Sequence, residues 1–143
     1  GTITSKKIAV LGFSFKANTN DTRESPSIFI SKDLFENGAI LSFHDPKVNK
    51  SQIENILNSK DNSGNHQNYK WEYQNDPYDA IRSSDAIIIL TEWDMYSKLN
   101  WSKCYEIMRK PAWVFDTRNI VNVNEVKNSG INYWGLGNGS LSL

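Results

Sequence analysis

The sequence predicts an α/β fold, built on a doubly wound, mainly parallel sheet with helices on both faces. Two observations predict it. Short apolar runs recur along the chain, and stretches with helical patterns separate each run from the next. The run AIIIL at 86–90 is continuous and β-branched, as in a parallel strand that is covered on both sides. Strands that alternate with helices in this way form parallel sheets through crossover connections.

The first strand and helix carry clear local signals. KIAVL at 7–11 is short and apolar and stops at Gly12, which predicts a buried strand. Ser25 is suited to cap the next helix and Pro26 to its first position, where the missing N–H costs nothing. The apolar stripe of this helix is predicted at Ile28, Leu34 and Phe35. Gly38 is predicted to end the helix in the left-handed conformation.

The other elements follow in order along the chain. Further strands are predicted at 40–44, 70–73, 86–90, 112–115 and 131–135. Helices are predicted at 51–58, 77–82, 101–109 and 123–128. The segment KDNSGNHQN at 60–68 has no periodicity, and we predict a mobile loop there. This succession is typical of a Rossmann-like domain.

Composition limits the possible classes of protein. The 143 residues fit one domain, and the 16 basic and 16 acidic residues balance, so no strong field attracts nucleic acid or an acidic membrane. No apolar run reaches the length of a membrane span. The single cysteine, Cys104, excludes an internal disulfide and fits a reducing compartment, so we expect a cytoplasmic protein.

Ligands of doubly wound sheets bind beyond the carboxyl ends of the strands, where the strand order reverses. Four loops are predicted at this edge, at 12–24, 45–46, 91–94 and 116–119. They carry three cations of interest, Lys16 and Arg23 in the first loop and Arg118 in the last. Ammonium and guanidinium groups beside a helix N-terminus suit phosphate groups, so the sequence predicts a phosphate-binding site here.

Each of these assignments has a plainer alternative. The cations are equally suited to surface ion pairs with carboxylates of the same loops, those of Asp21, Glu24 and Asp116. Asp45 stands where a dinucleotide-binding fold has a ribose-binding acid, but the first loop lacks the repeated glycines of such a fold, which favours an Asp-Pro turn. Trp93 is suited to stack on a base, to cover the sheet edge or to form a subunit contact.

The chain shows no catalytic or metal-binding group of its own. His44 and His66 lie far apart, and no acidic and cysteine residues cluster near either, so no metal site is predicted. Cys104 occupies an apolar position on a predicted helix, which favours a buried, inert thiol over a nucleophile. The residues alone therefore predict a phosphate-binding α/β domain without a catalytic residue.

One long motif carries a resemblance to a known family. GFSFKANTNDTRESPS at 12–27 resembles the pattern Gly-x-x-Phe-Lys-x-x-Thr-x-Asp-x-Arg-x-Ser-Pro of the C-terminal domain of the UDP-glucose/GDP-mannose dehydrogenase family. FHDPKV at 43–48, LTEWDMY at 90–96 and VFDTRN at 114–119 agree in order and spacing. The resemblance covers essentially the whole chain and is greatest to the eukaryotic UDP-glucose branch. Asn18 departs from the pattern, since the family often has Asp there.

The resemblance implies that residues 1–143 form a single C-terminal UDP-sugar-binding domain, without the N-terminal NAD-binding and central catalytic domains. It implies an NAD-dependent oxidation of UDP-glucose to UDP-glucuronate by the complete, homo-oligomeric enzyme, through a cysteine of the central region. Phe15 and Lys16 would contact the substrate, Arg118 its nucleotide part, and Arg23 the NAD bound mainly by the N-terminal domain. No catalytic residue is expected in this chain, which would be inactive alone.

Two alternatives remain at this point. The chain is also suited to be a freestanding Rossmann-like module that binds a nucleotide or serves as an assembly surface through its five Trp residues. Within the family, it is also suited to a dehydrogenase of GDP-mannose or of a UDP-amino sugar.

Overall fold

The structure, a computed structural model, describes residues 3–58 and 69–136, so the loop predicted at 60–68 lies outside the described residues. The strands are β1 (Lys7–Leu11), β2 (Ile40–His44), β3 (Trp71–Tyr73), β4 (Ala86–Ile89), β5 (Trp113–Asp116) and β6 (Asn132–Gly135). The helices are α1 (Pro26–Glu36), α2 (Lys50–Leu57), α3 (Pro77–Ile81), α4 (Asp94–Ser97), α5 (Trp101–Ile107) and α6 (Val123–Asn128).

The strands form one six-stranded sheet in the order β3-β2-β1-β4-β5-β6. Every neighbouring pair is parallel. The chain winds outward from β1 in one direction, returns to pair β4 with β1, and winds outward in the other direction. The predicted doubly wound, Rossmann-like architecture is therefore confirmed, and the strand order reverses between β1 and β4.

Two apolar clusters lie on the two faces of the sheet. Alternate residues of β1 divide between them, with Ile8 and Val10 in one cluster and Ala9 and Leu11 in the other. Helices α1 and α2 complete the first cluster, while α3, α5 and α6 complete the second. Both faces of β1 are buried, which is why its sequence is continuously apolar rather than alternating.

Helix α1 begins and ends as its sequence predicts, and its most deeply buried residues include two serines. The Oγ of Ser25 accepts the N–H of Ser27 at 3.2 Å, and Gly38 has a φ of +87°. The predicted stripe is confirmed, since Phe35 is buried and Ile28 and Leu34 are partly buried and pack against the first cluster. The residues that face the sheet are spaced four apart: Ser27, Ser31 and Phe35. Small side chains at the first two positions bring the helix close to the sheet, and the Ser27 Oγ donates to the carbonyl of Gly12 at 3.1 Å.

The sequence does not predict the short helix α4, because it indicates only a loop after β4. Its four residues are too few to show a helical period, and its N-cap, Trp93, makes no side-chain capping bond. Elsewhere the boundaries shift by one or two residues, as at the end of α5. None of the helices in the described parts of the chain has the length and apolar character needed to cross a bilayer.

Candidate functional site

The candidate site lies at the carboxyl edge of the sheet, where hydrogen bonds extend the strand pairing into the loops. Gly12 donates its N–H to the carbonyl of His44 at 2.8 Å, and Leu90 donates to Leu11 at 2.9 Å. The loop after β1 therefore lies between the loops that follow β2 and β4. This is the reversal point at which doubly wound sheets bind their ligands.

Gly12 is required where the first loop leaves β1. Its φ is +100°, and a Cβ at this position would lie 2.4 Å from the Cβ of Thr91. The Oγ1 of Thr91 donates to the carbonyl of Ser14 at 2.9 Å, which holds the first loop against the end of β4. The single glycine of the loop therefore serves close packing between two loops, rather than a pyrophosphate cradle.

The Asp45 carboxylate binds backbone N–H groups of two loops at the carboxyl edge of the sheet. Its buried carboxylate accepts the N–H groups of Phe13 at 2.7 Å and Ser14 at 3.1 Å. The other oxygen accepts the N–H groups of Lys47 at 2.8 Å and Val48 at 3.0 Å. The predicted turn role is thus confirmed, and it extends to the first loop.

Trp93 also bonds to Asp45. Its indole N–H donates to the Asp45 Oδ2 at 3.2 Å, and the side chain is only 7% exposed within the second apolar cluster. A base needs an exposed ring face on which to stack. The stacking interpretation of Trp93 is therefore wrong, and the ring covers the core instead.

The first loop closes on itself and presents two predicted site residues. The N–H of Phe15 donates to the carbonyl of Asp21 at 2.6 Å, and the Oγ1 of Thr19 accepts the N–H of Asp21 at 3.1 Å. The Phe15 side chain is 48% exposed, and Lys16 is also exposed. Lys16 forms no ion pair within residues 3–58 and 69–136, so its ammonium group is open to a ligand.

Arg23 is the cation for which the ion-pair alternative is correct. Its Nε and a terminal nitrogen bond the two carboxylate oxygens of Asp21 at 3.0 and 2.9 Å. The Arg23 guanidinium lowers the pKa of Asp21 to about 2. Both side chains line a pocket of about 370 Å³ together with Phe15 and Glu24. Arg23 therefore lies beside Phe15, on a pocket with room for a ligand group.

Arg118 has a different partner from the one that the ion-pair alternative gave it. The buried carboxylate of Asp116 accepts the backbone N–H groups of Arg118 at 3.0 Å, Ile120 at 2.7 Å and Val121 at 2.9 Å. It forms no ion pair with the Arg118 guanidinium, which pairs instead with Glu92. The Asp116–Arg118 pairing is therefore wrong, because Asp116 is used to shape its own loop.

Glu92 is the site residue that the sequence did not reveal. Its Oε1 accepts the N–H of Ala17 at 2.8 Å, and its Oε2 forms the ion pair with Arg118. The carboxylate thus connects the loop after β5 to the residue next to Lys16. Only its place in TEWD, at the end of a predicted strand, was available as a signal.

Other polar groups of the described chain serve the fold. Cys104 is buried, as predicted, and burial raises its pKa to about 12. The His44 ring is buried with its Nδ1 2.8 Å from the Tyr96 hydroxyl. No group of three or more metal-ligating side chains occurs in the residues that the structure describes.

Comparisons with known proteins identify the family of this chain. The sequence profile of the UDP-glucose/GDP-mannose dehydrogenase family, UDP binding domain, matches residues 9–123. A UDP-glucose 6-dehydrogenase of Caenorhabditis elegans is 43% identical over 136 residues, which cover 95% of this chain and 28% of that protein. The UDP-glucose 6-dehydrogenase of Gallus gallus is 46% identical over 121 residues, which cover 84% of this chain and 24% of that protein. The chain spans less than a third of either relative.

Solved structures share the fold. A UDP-glucose dehydrogenase from Pyrobaculum islandicum matches with a TM-score of 0.64 at 25% identity, covering 94% of this chain and 26% of that chain. An NDP-N-acetyl-D-galactosaminuronic acid dehydrogenase from Methanosarcina mazei Go1 matches with a TM-score of 0.74 at 24% identity, covering 94% and 25%. The resemblance in the four motifs is thereby confirmed: this chain belongs to the UDP-glucose/GDP-mannose dehydrogenase family and corresponds to its UDP-binding domain.

Proposed function

We propose that this chain is the C-terminal, UDP-sugar-binding domain of an NAD-dependent UDP-glucose 6-dehydrogenase, which oxidises UDP-glucose to UDP-glucuronate. One observation carries the proposal. Lys16 and Arg118 occupy the carboxyl edge of the sheet and are joined through Glu92 and the backbone of Ala17. They belong to two of the four motifs that this chain has in common with the family, those at 12–27 and 114–119.

The two cations suit a diphosphate. Charge-assisted hydrogen bonds from an ammonium and a guanidinium contribute about 1.5–3 kcal/mol each to binding. Lys16 is open to a ligand, and the Arg118 side chain is 37% exposed at the loop edge. The exposed ring of Phe15, the residue before Lys16, offers an apolar surface for the sugar. We assign Phe15 and Lys16 to the substrate and Arg118 to its nucleotide part.

Arg23 is the residue assigned to NAD. A guanidinium has several N–H donors, and Asp21 accepts only some of those of Arg23. The others remain for a phosphate or ribose oxygen. NAD would accept the hydride in the reaction and would be held mainly by another domain. In this chain Arg23 would bind and orient NAD at the pocket that it lines with Phe15.

The domain would contribute orientation rather than bond chemistry. The buried Cys104, with its raised pKa, does not fit a nucleophile. Fixing the diphosphate would place the sugar against a cysteine elsewhere in the enzyme, and positioning of this kind lowers reaction barriers. We therefore expect the chain alone to be inactive. We also propose that the complete enzyme is cytoplasmic and homo-oligomeric.

Titration with UDP, UDP-glucose, GDP and NAD, followed by nuclear magnetic resonance, tests the proposed site. We expect Lys16→Ala and Arg118→Ala to weaken UDP binding by about tenfold or more, since each removes a charge-assisted contact. Lys6→Ala and Arg109→Ala are matched controls, because both side chains are exposed at the amino edge of the sheet. Equal affinity of Arg118→Ala and wild type for UDP would count against the site. Tighter binding of GDP than of UDP would favour a GDP-mannose dehydrogenase.

A further inference from the structure

Three consecutive residues after β4 each bond a different part of the carboxyl edge. Thr91 donates to the Ser14 carbonyl at 2.9 Å, and Trp93 donates to the Asp45 carboxylate at 3.2 Å. Between them, Glu92 accepts the Ala17 N–H at 2.8 Å and pairs with Arg118. Thr91 and Trp93 fix the backbone on both sides of Glu92. The carboxylate is therefore presented from a rigid support.

Arg118 is held at both ends. Its backbone N–H donates to the Asp116 carboxylate at 3.0 Å, which fixes the start of the side chain. One terminal nitrogen of its guanidinium meets the Glu92 Oε2 as an ion pair. Its other N–H donors are left for a ligand, since no second carboxylate pairs with Arg118 in the part of the chain that the structure describes. The guanidinium is thus oriented without being fully used.

The same carboxylate fixes the backbone beside Lys16. The Ala17 N–H belongs to the residue that follows Lys16, in a loop with a left-handed residue at Asn18, whose φ is +66°. The Lys16 carbonyl, which belongs to the same peptide unit as the Ala17 N–H, accepts the Ser14 hydroxyl at 3.0 Å. One carboxylate therefore sets the relative position of the two cations that the proposed function assigns to the substrate.

The ionised form of Glu92 is the one that this arrangement favours. Burial raises its pKa, but the Ala17 N–H and the Arg118 guanidinium act in the opposite direction and outweigh burial, so the pKa lies below its usual value. A negative charge here does not attract a diphosphate. Its contribution is to orient the guanidinium before the ligand arrives, which removes an ordering cost from binding.

We infer that Glu92 is a positioning residue of the substrate site, which holds Arg118 and the backbone of Lys16 so that both cations meet one nucleoside diphosphate. This inference rests on the proposed function and extends it to a residue that touches no substrate. It also explains why a carboxylate lies beside a site for an anion.

A double-mutant cycle with UDP as the probe tests the inference. UDP affinity is measured by titration for wild type, Glu92→Gln, Arg118→Ala and the double variant. Glutamine keeps an oxygen for the Ala17 N–H but loses the ion pair. We expect Glu92→Gln to weaken UDP binding by about fivefold in the wild-type background and by less than twofold when Arg118 is alanine. Glu72→Gln is the matched control, because it removes the ion pair with Lys7 and should leave UDP affinity unchanged.

The outcomes separate the two levels of the proposal. If Arg118→Ala weakens UDP binding and Glu92→Gln does not, or if Glu92→Gln binds UDP more tightly, Glu92 is not a positioning residue while the site stands. An equal loss in both backgrounds also overturns the inference, since it shows no coupling to Arg118. If Arg118→Ala binds UDP as wild type does, the proposed function itself fails. Urea unfolding of Glu92→Gln should match wild type, which excludes a general loss of structure.

Discussion

At the scale of single residues, the carboxyl edge depends on carboxylates that bind backbone N–H groups. Asp45 and Asp116 are both buried at the ends of strands, and each satisfies backbone donors of the loops around it. Buried N–H groups that lose their acceptor are costly. These two side chains therefore shape the loops, whereas the exposed cations of the same loops remain for a ligand.

Replacement of Asp45 by alanine should be among the most destabilising single changes. It leaves the N–H groups of Phe13, Ser14, Lys47 and Val48 and the indole of Trp93 without their acceptor. We expect the free energy of unfolding to fall by about 3–5 kcal/mol, measured by urea denaturation. Asp33→Ala, at an exposed position of α1, is the control. A loss below about 1 kcal/mol would show that water replaces the carboxylate.

Gly12→Ala tests the close approach of the first loop to β4. The substitution places a Cβ 2.4 Å from the Cβ of Thr91 at a φ of +100°, so both contact and conformation are unfavourable. We expect a destabilisation of about 2–4 kcal/mol in thermal or urea unfolding. Gly38→Ala is the matched variant, because its φ is also positive but its nearest contacts are 3.2–3.3 Å. It should cost less, and an equal loss at both sites would contradict the role given to Thr91.

At the scale of elements, helix α1 links the first loop to the sheet through its cap. The Ser25 Oγ accepts the Ser27 N–H at 3.2 Å, and the hydroxyl lies 3.4 Å from the Ser14 carbonyl. We expect Ser25→Ala to destabilise the chain by about 1 kcal/mol, as measured by urea unfolding. Ser51→Ala, within α2 and exposed, is the control and should change little. No loss on Ser25→Ala would mean that Pro26 alone sets the start of α1.

The sequence predicted most elements because their signals are local. The β1 run, the Ser25 cap and the left-handed Gly38 each depend on a few neighbouring residues. Helix α4 has too few residues for a period, and the buried serines of α1 carry no apolar signal. Within the site, the sequence located the cations Lys16 and Arg118, but the Glu92–Arg118 pair joins loops whose contact depends on the β4–β5 register.

At the scale of the whole molecule, the site depends on contact between the two halves of the sheet. β1 with β2 and β3 forms one half, and β4 with β5 and β6 forms the other. Lys16 comes from the first half and Arg118 from the second, and residues 91–93 bond across the reversal point between them. The two cations can act on one ligand only while both halves are folded together. Binding of a diphosphate should therefore stabilise the entire sheet against unfolding.

A buried histidine at this junction should make the stability of the sheet depend on pH. His44 ends β2, and the Tyr96 hydroxyl, which donates to the His44 carbonyl at 3.0 Å, lies 2.8 Å from the His44 Nδ1. Burial lowers the pKa of His44 below 6.5, against the smaller opposing effect of Asp45 and Asp76. The folded state therefore binds this proton less readily than the unfolded state. Its contribution to stability is complete above pH 6.5 and is lost as the pH falls from 6.5 through the lower folded pKa.

Urea unfolding of wild type and His44→Gln between pH 8 and pH 5 measures this effect. For wild type, we expect the free energy of unfolding to fall below about pH 6.5, with a slope of at most about 1.4 kcal/mol per pH unit, the limit for one proton. For His44→Gln, the decline over this range should be smaller, because glutamine does not titrate. The difference between the two proteins at pH 8, where both side chains are neutral, gives the cost of lost packing and serves as the baseline. Identical slopes would show that the protonation of His44 is not linked to folding, and that other groups determine the acid sensitivity of the sheet.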